Sequence, residues 1–439
     1  MRFVNGLERG SNPLGGALSR PEPRVVPMSA VSVTAPSASG ADRAFVPDEP
    51  PGHPSVSWAR ARLLAHRAPR PLSPRTAPLA AAPGPTLARQ LTALQPLPSF
   101  DTAAMDGYAV AGPGPWRIRG VVRAGATWRG GLGAGECVEI STGAQVPAGA
   151  CAVLPLESTW SMDGNSVGGA TPPPGRHIRV IGEDAPAGSA LAPAGTRIGP
   201  ALVGLAASCG HDSLAVRPRP RIGVLITGDE LDHTGRPGSG RVRDALGPLI
   251  PALVVQLGGE TCRLRHVPDR PTGSLAHAVH AMQDADVVLV TGSSSVGATD
   301  QLRRLLDEAG ARMIVDTVAC RPGHPMLLAQ LTANRWVVGL PGNPYAALVA
   351  AHTLLGPLIA GLSGRTLSAL PRVPVTGRVR RAAAGLTRLV PVTWDGDGAR
   401  IADGHRAAFL RGAAVGDALA ALPPDWGDGG PAPLVLTPS

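Results

Sequence analysis

A strand, a loop and a helix follow one another between Asp286 and Asp307, and this unit limits the possible folds more than any other segment. The apolar run predicts a buried strand over 286–291, the loop Gly292–Gly297 contains mainly Gly and Ser, and residues 300–309 are typical of a helix. Comparable strand or helix patterns occur at 221–227, 249–257, 336–340 and 345–360. Because strands and helices alternate, the sequence predicts a mostly parallel sheet covered by helices.

Residues outside this region predict a multi-domain protein of the α/β plus β class. The chain has 439 residues with 56 Gly and 47 Pro, so several cores and many short elements are expected. Residues 1–54 are rich in Pro, Ser, Gly and Ala and predict a disordered extension. We expect a helix over 55–68, short strands over 101–184, a helix over 200–210, and a separate small β unit over 370–439.

The composition argues against several classes of function. The net charge of +9 is carried by scattered Arg residues without a recognition motif, which indicates a solvated basic surface and no nucleic-acid partner. The five cysteines are far apart and lack CxxC or His/Cys ligand spacing, so neither a zinc site nor a disulfide framework is predicted. Without a run of 18 apolar residues or an apolar signal core, we expect a cytoplasmic protein with no membrane partner.

Candidate ligand-binding loops follow the predicted strands. In parallel sheets, ligands bind beyond the carboxyl ends of the strands. Three loops lie at such ends: Thr227–Leu231, Thr291–Gly297 and Pro341–Pro344. A Gly/Ser-rich loop before a helix N-terminus can bind phosphate through its amides, although such loops are also commonly plain turns.

Carboxylates close to a phosphate loop imply a cation. Asp300 follows the Gly/Ser loop, and Asp229 and Glu230 follow the first strand. Acids also favour the first turn of a helix or a solvated turn, so each residue alone has a plain structural explanation. Taken together, they indicate an anionic ligand bound with Mg²⁺, which is held by one or two carboxylates and by ligand phosphates.

Other polar motifs are not decisive alone. Arg321–Pro325 contains Arg321, which can bind phosphate with two hydrogen bonds, and His324. Upstream, Asp101 and Asp106 flank a short apolar stretch, and further polar groups are Thr142, Glu183 and Asp184.

In order, these segments resemble the molybdopterin molybdenumtransferase family, the MoeA-type enzymes related to the C-terminal part of gephyrin. The resemblance extends from about residue 55 to the C-terminus. It rests on motifs at family-like spacing: Phe100–Ala109, Ser141–Ala144 with Pro147–Ala150, Arg179–Asp184, Thr227–Leu231, Thr291–Asp300, Arg321–Pro325 and Leu340–Pro344.

This resemblance implies a function and an assembly. Such enzymes insert molybdenum from molybdate into adenylylated molybdopterin, and Mg²⁺-dependent release of AMP gives the molybdenum cofactor. It implies a homodimer, with molybdopterin adenylyltransferase and molybdoenzymes as possible partners. The implied domains are an elongated linker and dimerisation domain (55–100 with 185–217), an inserted β-rich domain (101–184), a molybdopterin-binding α/β domain (218–366) and a C-terminal β domain (367–439).

The resemblance also assigns roles to residues. The implied catalytic residues are Asp106, Thr142, Asp184, Glu230 and Asp300, and the implied metal ligands are Glu230, Asp244 and Asp300. The implied cofactor-binding residues are Gly292, Ser294, Ser295, Gly297, Arg321, His324, Pro341, Gly342 and Asn343. We expect Glu230 and Asp300 near Mg²⁺ and the pyrophosphate, and Asp106 and Thr142 near the metal-insertion end.

The chain departs from the family pattern at Ala245, Leu246, Ser293 and His324, where the family usually has polar residues, a paired glycine and a lysine. These changes motivate a second hypothesis, a catalytically weakened paralogue that binds molybdopterin or the cofactor as a carrier or scaffold. A third hypothesis is a nucleotide-amide hydrolase of the competence-damage type, which lacks the Phe100–Val110 motif, and a fourth is a nucleic-acid-binding regulator.

Overall fold

The computed structural model describes residues 55–271, 273–292, 298–379 and 385–437, and the side chains of all of these except 298–300. The predicted extension over 1–54 lies outside the described residues.

The first half of the described chain is built from short strands. Its elements are β1 (Val56–Ser57), α1 (Trp58–Arg67), β2 (Arg75–Pro78), β3 (Thr86–Leu87), β4 (Leu91–Thr92), β5 (Thr102–Ala103), β6 (Gly107–Ala111), β7 (Trp116–Val122), β8 (Glu136–Ile140), β9 (Ala152–Pro155), β10 (Thr159–Ser161), β11 (Ser166–Gly169), β12 (Ile178–Arg179), β13 (Ala190–Ala192), α2 (Pro200–Ser208) and β14 (Ser213–Arg217). Strands β6 to β11 form a sheet in the order β10-β11-β7-β8-β6-β9. The prediction of short strands over 101–184 is confirmed.

The middle of the chain forms the predicted α/β layer. Its elements are β15 (Arg221–Thr227), β16 (Leu231–Asp232), β17 (Val242–Arg243), α3 (Leu246–Leu257), β18 (Glu260–Val267), α4 (Ser274–His280), β19 (Val287–Thr291), α5 (Ala298–Glu308), β20 (Arg312–Val315), β21 (Val318–Arg321), β22 (Leu327–Thr332), β23 (Arg335–Leu340), α6 (Pro344–Ala350) and α7 (Gly356–Leu362). The sheet order is β18-β15-β19-β23-β22-β20. The first four strands are parallel, and β22 and β20 add an antiparallel edge.

The C-terminal strands form a sheet that also contains β1 and β21, and the separate C-terminal β unit stays a prediction. They are β24 (Arg372–Thr376), β25 (Thr387–Asp395), β26 (Gly398–Ile401), β27 (Ala418–Leu422) and β28 (Pro431–Leu436), with α8 (Arg411–Val415) between β26 and β27. The sheet continues through β25 to β21 and β1, in the order β1-β21-β25-β26-β24-β28-β27. The parallel pairing of Cys320 with Thr387 joins strands far apart in sequence, which local patterns cannot indicate.

The main hydrophobic core crosses the predicted boundaries at residues 218 and 367. Trp58 of α1 packs in one cluster with Ile222 of β15 and Leu389 of β25. Trp58 Nε1 also donates to Thr353 Oγ1 at 3.0 Å, and Arg62 Nη1 donates to the His352 carbonyl at 2.8 Å. Helix α1 is therefore an integral part of the α/β core, while the domain divisions themselves stay predictions.

The helical segment Pro344–Leu362 is the main helix of this core. A π-helical turn over Ala351–Leu355 joins α6 to α7. The segment has 19 residues and a mean hydropathy of 1.6 over its most apolar window, so by length and composition it could cross a membrane, which the sequence analysis did not anticipate. However, 83% of that window is buried inside the protein, as in a core helix.

Candidate active site

Three parallel strands end side by side at one edge of the central sheet. Ile226 of β15 pairs with Thr291 of β19, and Thr291 pairs with Leu340 of β23. Thr227 Oγ1 donates to the Thr291 carbonyl at 2.7 Å and connects the first two strand ends. The loops that follow these strands therefore begin next to one another, where parallel sheets bind ligands.

Two glycines allow close backbone approach at this edge. Gly292 has φ +83°, and a Cβ there would lie 2.6 Å from the Thr227 carbonyl oxygen. A Cβ on Gly342 would lie 3.3 Å from the Gly292 Cα. Position 292 requires glycine both for its left-handed conformation and for lack of space.

A cavity of about 430 Å³ opens at these strand ends. It brings together five of the sequence-predicted residues: Glu230, Asp244, Gly292, Gly342 and Asn343. Its other described lining residues are Thr227, Leu231, Val242, Arg243, Ala245, Leu246, Thr291, Pro344 and Ala408. Two acidic residues, one arginine and two glycines therefore line one volume.

Asp244 is a buried and oriented carboxylate on the wall of this cavity. Its side chain is only 4% exposed. Oδ1 accepts hydrogen bonds from the Leu246 and Gly247 amides, each at 2.9 Å, and Oδ2 lies 3.0 Å from His266 Nε2. Burial acts to raise the pKa of Asp244, but the hydrogen bonds from Gly247, His266 and Leu246 outweigh it and hold the pKa below its ordinary value.

The segment between Glu230 and Asp244 forms part of the cavity wall and contains a short pair of strands, which we call the flap. Strands β16 and β17 are parallel, and the Val242 amide donates to the Glu230 carbonyl at 2.8 Å. Arg241 holds the flap through the carbonyls of Asp229 and Leu231, at 2.8 and 2.6 Å, and through the Asp232 carboxylate at 2.5 Å. Arg241 was not singled out in the sequence analysis.

Asp269 was also missed by the sequence analysis. It exchanges hydrogen bonds with Asp229: the Asp269 amide donates to Asp229 Oδ1 at 3.0 Å, and the Asp229 amide donates to Asp269 Oδ2 at 3.3 Å. Strand β18 ends at Val267, so the strand-end argument used for the other loops could have identified this residue.

His233, Asp244 and His266 converge at the flap, and their ligand atoms lie within 4.8 Å of one another. The sequence analysis predicted no site with histidine ligands. It missed this cluster because no short spacing relates the three residues, and Asp244 and His266 alone are 22 positions apart.

Asp106 and Thr142 form a pair in the β-rich sheet. Asp106 precedes β6 and Thr142 follows β8, and these strands pair antiparallel through Gly107 and Ile140. The Thr142 amide donates to Asp106 Oδ1 at 2.7 Å, and Thr142 Oγ1 donates to the same oxygen at 3.1 Å. These two bonds, the amide first, hold the pKa of Asp106 below its ordinary value.

Asp184 belongs to a different hydrogen-bond network. Arg179 contacts Asp184 Oδ2 at 2.5 Å and Glu183 Oε1 at 3.0 Å. Asp101 Oδ1 accepts the Ile181 amide at 2.7 Å, which secures the loop that carries Asp184. Asp101 therefore has a structural role here.

Arg321 is the last residue of β21, and His324 lies in the turn between β21 and β22. His324 Nδ1 is 2.7 Å from the Val318 carbonyl, and because a carbonyl only accepts, this nitrogen is the donor. Among the described residues that line the strand-end cavity, Arg321, His324 and Pro341 do not occur.

Several predicted residues cannot be placed. Ser293, Ser294, Ser295 and Gly297 lie outside the described residues, and the Asp300 side chain is not described either. Leu246, one of the departures from the family pattern, lies within the described residues. Its side chain is 5% exposed, packs in the main core and borders the cavity.

Comparison with known proteins finds a matching family model for each half of the chain. Residues 54–210 match the model of the MoeA N-terminal region (domain I and II), and residues 223–361 match the probable molybdopterin binding domain. The chain is 35% identical over 276 residues to the molybdopterin molybdenumtransferase of Haemophilus influenzae, covering 61% of this chain and 68% of that protein. It is 34% identical over 368 residues to molybdopterin molybdenumtransferase 1 of Mycobacterium tuberculosis, covering 74% and 84%.

A solved structure supports the fold. The chain superimposes on the molybdopterin biosynthesis moeA protein from Pyrococcus horikoshii OT3 with a TM-score of 0.73 and 20% identity, covering 87% of this chain and 100% of that chain.

An α/β domain with a carboxylate-lined strand-end cavity, joined to a β-rich unit, defines a ligand-binding α/β enzyme. The sequence relatives make the assignment specific: the chain belongs to the molybdopterin molybdenumtransferase family, transferases of molybdenum cofactor biosynthesis.

Proposed function

We propose that this chain inserts molybdenum from molybdate into the dithiolene of adenylylated molybdopterin and releases AMP. The observation that carries the proposal is the cavity at the ends of β15, β19 and β23, which collects Glu230, Asp244, Gly292, Gly342 and Asn343. Both substrates are anions, and the cavity combines close backbone approach with carboxylates.

The described residues fit a bound Mg²⁺. An anionic ligand beside two carboxylates is electrostatically unfavourable unless a cation lies between them. Glu230 and Asp244 would supply carboxylate oxygens, with Asp300 as a further predicted ligand, and ligand phosphates would complete the set. When bound, Mg²⁺ would stabilise the charge on the phosphoryl oxygens.

The protein's own groups would position the pyrophosphate. Arg243 lines the cavity and offers a guanidinium to phosphate oxygens. Gly292 and Gly342 allow backbone amides to approach the ligand without a side chain between them. Glu230 is exposed on the loop after β15, where it can orient the water that attacks phosphorus.

Asp106 and Thr142 would act at the metal-insertion end. Two donors from Thr142 fix the Asp106 carboxylate and favour its ionised form. A carboxylate held in this way is suited to orienting substrate rather than storing a proton near neutral pH. Asp184, held by Arg179, would contribute charge to the same end.

A first experiment separates catalysis from binding. We expect Glu230→Gln to bind adenylylated molybdopterin but to release AMP about a hundredfold more slowly, because a carboxylate at the reacting centre is lost. Glu308→Gln, which changes an exposed acid on α5, is the matched control. AMP release at the wild-type rate by Glu230→Gln or by Asp300→Asn would contradict the assigned role of that residue.

We also propose that the site is completed in a homodimer. The described residues that line the cavity all fall between positions 227 and 408, whereas Asp106, Thr142 and Asp184 belong to the β-rich part of the chain. In this arrangement the β-rich domain of a second copy faces the cavity, as the family resemblance implies.

Mixing two inactive variants tests the shared site. If Glu230→Gln and Asp106→Asn subunits exchange freely, half of the dimers are mixed and each holds one intact site, so about a quarter of wild-type activity returns. Glu230→Gln mixed with Asp300→Asn is the control and should stay inactive, because both changes fall in the same half of the shared site. No recovery in the first mixture, once co-purification of two differently tagged variants shows mixed dimers, would contradict the shared site.

The surrounding steps follow from the chemistry of the substrates. Molybdopterin adenylyltransferase would supply the adenylylated substrate, and apo-molybdoenzymes in the cytoplasm would accept the finished cofactor.

A binding-only role has one observation in its favour. Leu246 places an apolar, buried side chain at the cavity wall where the family usually has a polar one. Tight binding of adenylylated molybdopterin with no AMP release, restored by Leu246→Asn, would favour the carrier hypothesis.

A further inference from the structure

Two histidines and a buried aspartate face one point beside the cavity. His266 Nε2 lies 3.0 Å from Asp244 Oδ2, and His233 Nδ1 lies 3.8 Å from the same oxygen. The two imidazole rings have centroids 3.6 Å apart with planes inclined by 41°. Three separate segments supply these groups: the flap loop after β16 carries His233, the residue directly after β17 is Asp244, and strand β18 carries His266.

The spacing matches the ligand set of a divalent transition metal. With bonds of about 2.1 Å, adjacent ligands in a tetrahedral site are roughly 3.4 Å apart. The two measured separations from Asp244 lie on either side of this value, so small rotations of exposed imidazoles would bring all three groups onto one ion.

Asp244 is fixed in the orientation that such a site needs. Its Oδ1 accepts the Leu246 and Gly247 amides, which leaves Oδ2 directed at the histidines. Backbone hydrogen bonds of this kind orient metal-binding carboxylates. The carboxylate is 4% exposed, while the side chains of His233 and His266 are 47% and 35% exposed, so the point between them is open to solvent on one side.

We propose that His233, Asp244 and His266 form a binding site for a borderline divalent ion of the Zn²⁺ class. Two imidazole nitrogens and one carboxylate suit Zn²⁺ or Co²⁺, whereas Mg²⁺ prefers oxygen ligands. Water from the open side completes the coordination. An isolated His–Asp hydrogen bond would involve one imidazole, but here a second imidazole packs against the first at a tilt of 41° and has a nitrogen 3.8 Å from the same oxygen.

The site shares Asp244 with the strand-end cavity. A Zn²⁺ ion bound there would occupy the carboxylate that the proposed function assigns to Mg²⁺. Resting on that proposed function, we expect Zn²⁺ to inhibit Mg²⁺-dependent AMP release, and His233→Ala to relieve the inhibition.

Metal binding itself is tested without any activity assay. Full-length, tag-free protein is stripped with chelator and titrated with Zn²⁺ against a chromophoric competitor, and with Co²⁺ by visible absorption. We expect one ion per chain, cobalt d–d bands, and a loss of affinity of about tenfold or more in His233→Ala and in His266→Ala. His280→Ala, at an exposed histidine on α4, is the control and should bind like wild type.

Two results would overturn the proposal. One is wild-type affinity in both His233→Ala and His266→Ala, and the other is stripped wild-type protein that binds no more Zn²⁺ than the two variants. Circular dichroism of each variant shows whether it is folded, and His233→Ala changes only an exposed loop residue. Failure of the proposed transferase activity would leave these titrations unaffected.

Discussion

The Asp106 carboxylate is controlled by one neighbouring residue. Both donors to its Oδ1 come from Thr142, one from the backbone amide and one from the hydroxyl. The Asp244 carboxylate is also held by its hydrogen-bond partners, which are the amides of Leu246 and Gly247 in α3 and the imidazole of His266. At this scale, the chemistry of the candidate site depends on which donors surround each acid.

Removing the Thr142 hydroxyl should raise the pKa of Asp106. Hydrogen bonds from Thr142 stabilise the ionised form, so Thr142→Val weakens that stabilisation while the amide bond remains. If the ionised carboxylate is required, the acidic limb of the pH–rate profile moves to higher pH. Thr142→Ser keeps a hydroxyl and should retain the wild-type profile. Coinciding pH–rate profiles for Thr142→Val and wild type would contradict the role of the hydroxyl in lowering the pKa of Asp106.

Gly292→Ala should destabilise the protein more than an alanine at a matched glycine. Gly292 (φ +83°) and Gly188 (φ +81°) have the same backbone conformation, but only at Gly292 would a Cβ meet another atom, the Thr227 oxygen at 2.6 Å. Strain alone costs about 1–3 kcal/mol, and the contact adds to it at 292. Equal falls in thermal midpoint for the two variants would show that space at 292 is not limiting.

Secondary elements with strong local patterns could be predicted from the sequence. The apolar run at Val287–Thr291 and the apolar helix from Pro344 are both in place because burial on a sheet or in a core imposes those patterns. The pairing of β21 with β25 and the packing of α1 against β15 could not be predicted, since they depend on contacts between distant segments. The same limit applies to the histidine cluster, whose members share no motif.

Trp58 should be the main attachment of α1 to the α/β core. The side chain is 5% exposed and packs in the main cluster, so Trp58→Ala is expected to cost about 3–5 kcal/mol of unfolding free energy. Trp58→Phe should cost about 1 kcal/mol, because the Thr353 hydroxyl still donates to the Val349 carbonyl. Trp160, which is 59% exposed, provides the alanine control in urea denaturation. Equal costs at the two sites would contradict the docking of α1.

Asp286, the residue before β19, should give a pH-dependent stability effect. Burial raises its pKa above the ordinary value despite the hydrogen bond from the Arg221 amide. The folded protein therefore binds this proton more tightly than the unfolded chain, and the resulting penalty is absent below about pH 3.9 and grows as pH rises above it.

Asp286→Asn should remove that penalty. The amide oxygen can still accept from the Arg221 amide, so the variant should gain stability relative to wild type as the pH rises from about 4 towards 7. Asp284→Asn, at the exposed ion pair with Arg221, is the control and should change stability by less than about 0.5 kcal/mol. A stability difference for Asp286→Asn that does not depend on pH would contradict this account.

The C-terminal part of the chain contributes to the candidate site. Tyr345 and Ala346, at the start of α6, donate their amides to the Ala407 carbonyl at 3.0 and 3.1 Å, and Ala408 lines the cavity. The C-terminal strands are thus coupled to the α/β layer both through the shared sheet and at the cavity. Asp106 and Asp184 are hydrogen-bonded to Thr142 and Arg179 and do not line the cavity. Because these acids are separate from the cavity, the proposed function includes a second copy of the chain.

AMP release from adenylylated molybdopterin is the most direct test of the central claim. The full-length protein is incubated with the substrate and Mg²⁺, with and without molybdate, and AMP is quantified alongside bound substrate. We predict release that requires Mg²⁺ and is stimulated by molybdate. Tight binding of the substrate with no AMP released at any molybdate concentration would contradict the transferase assignment.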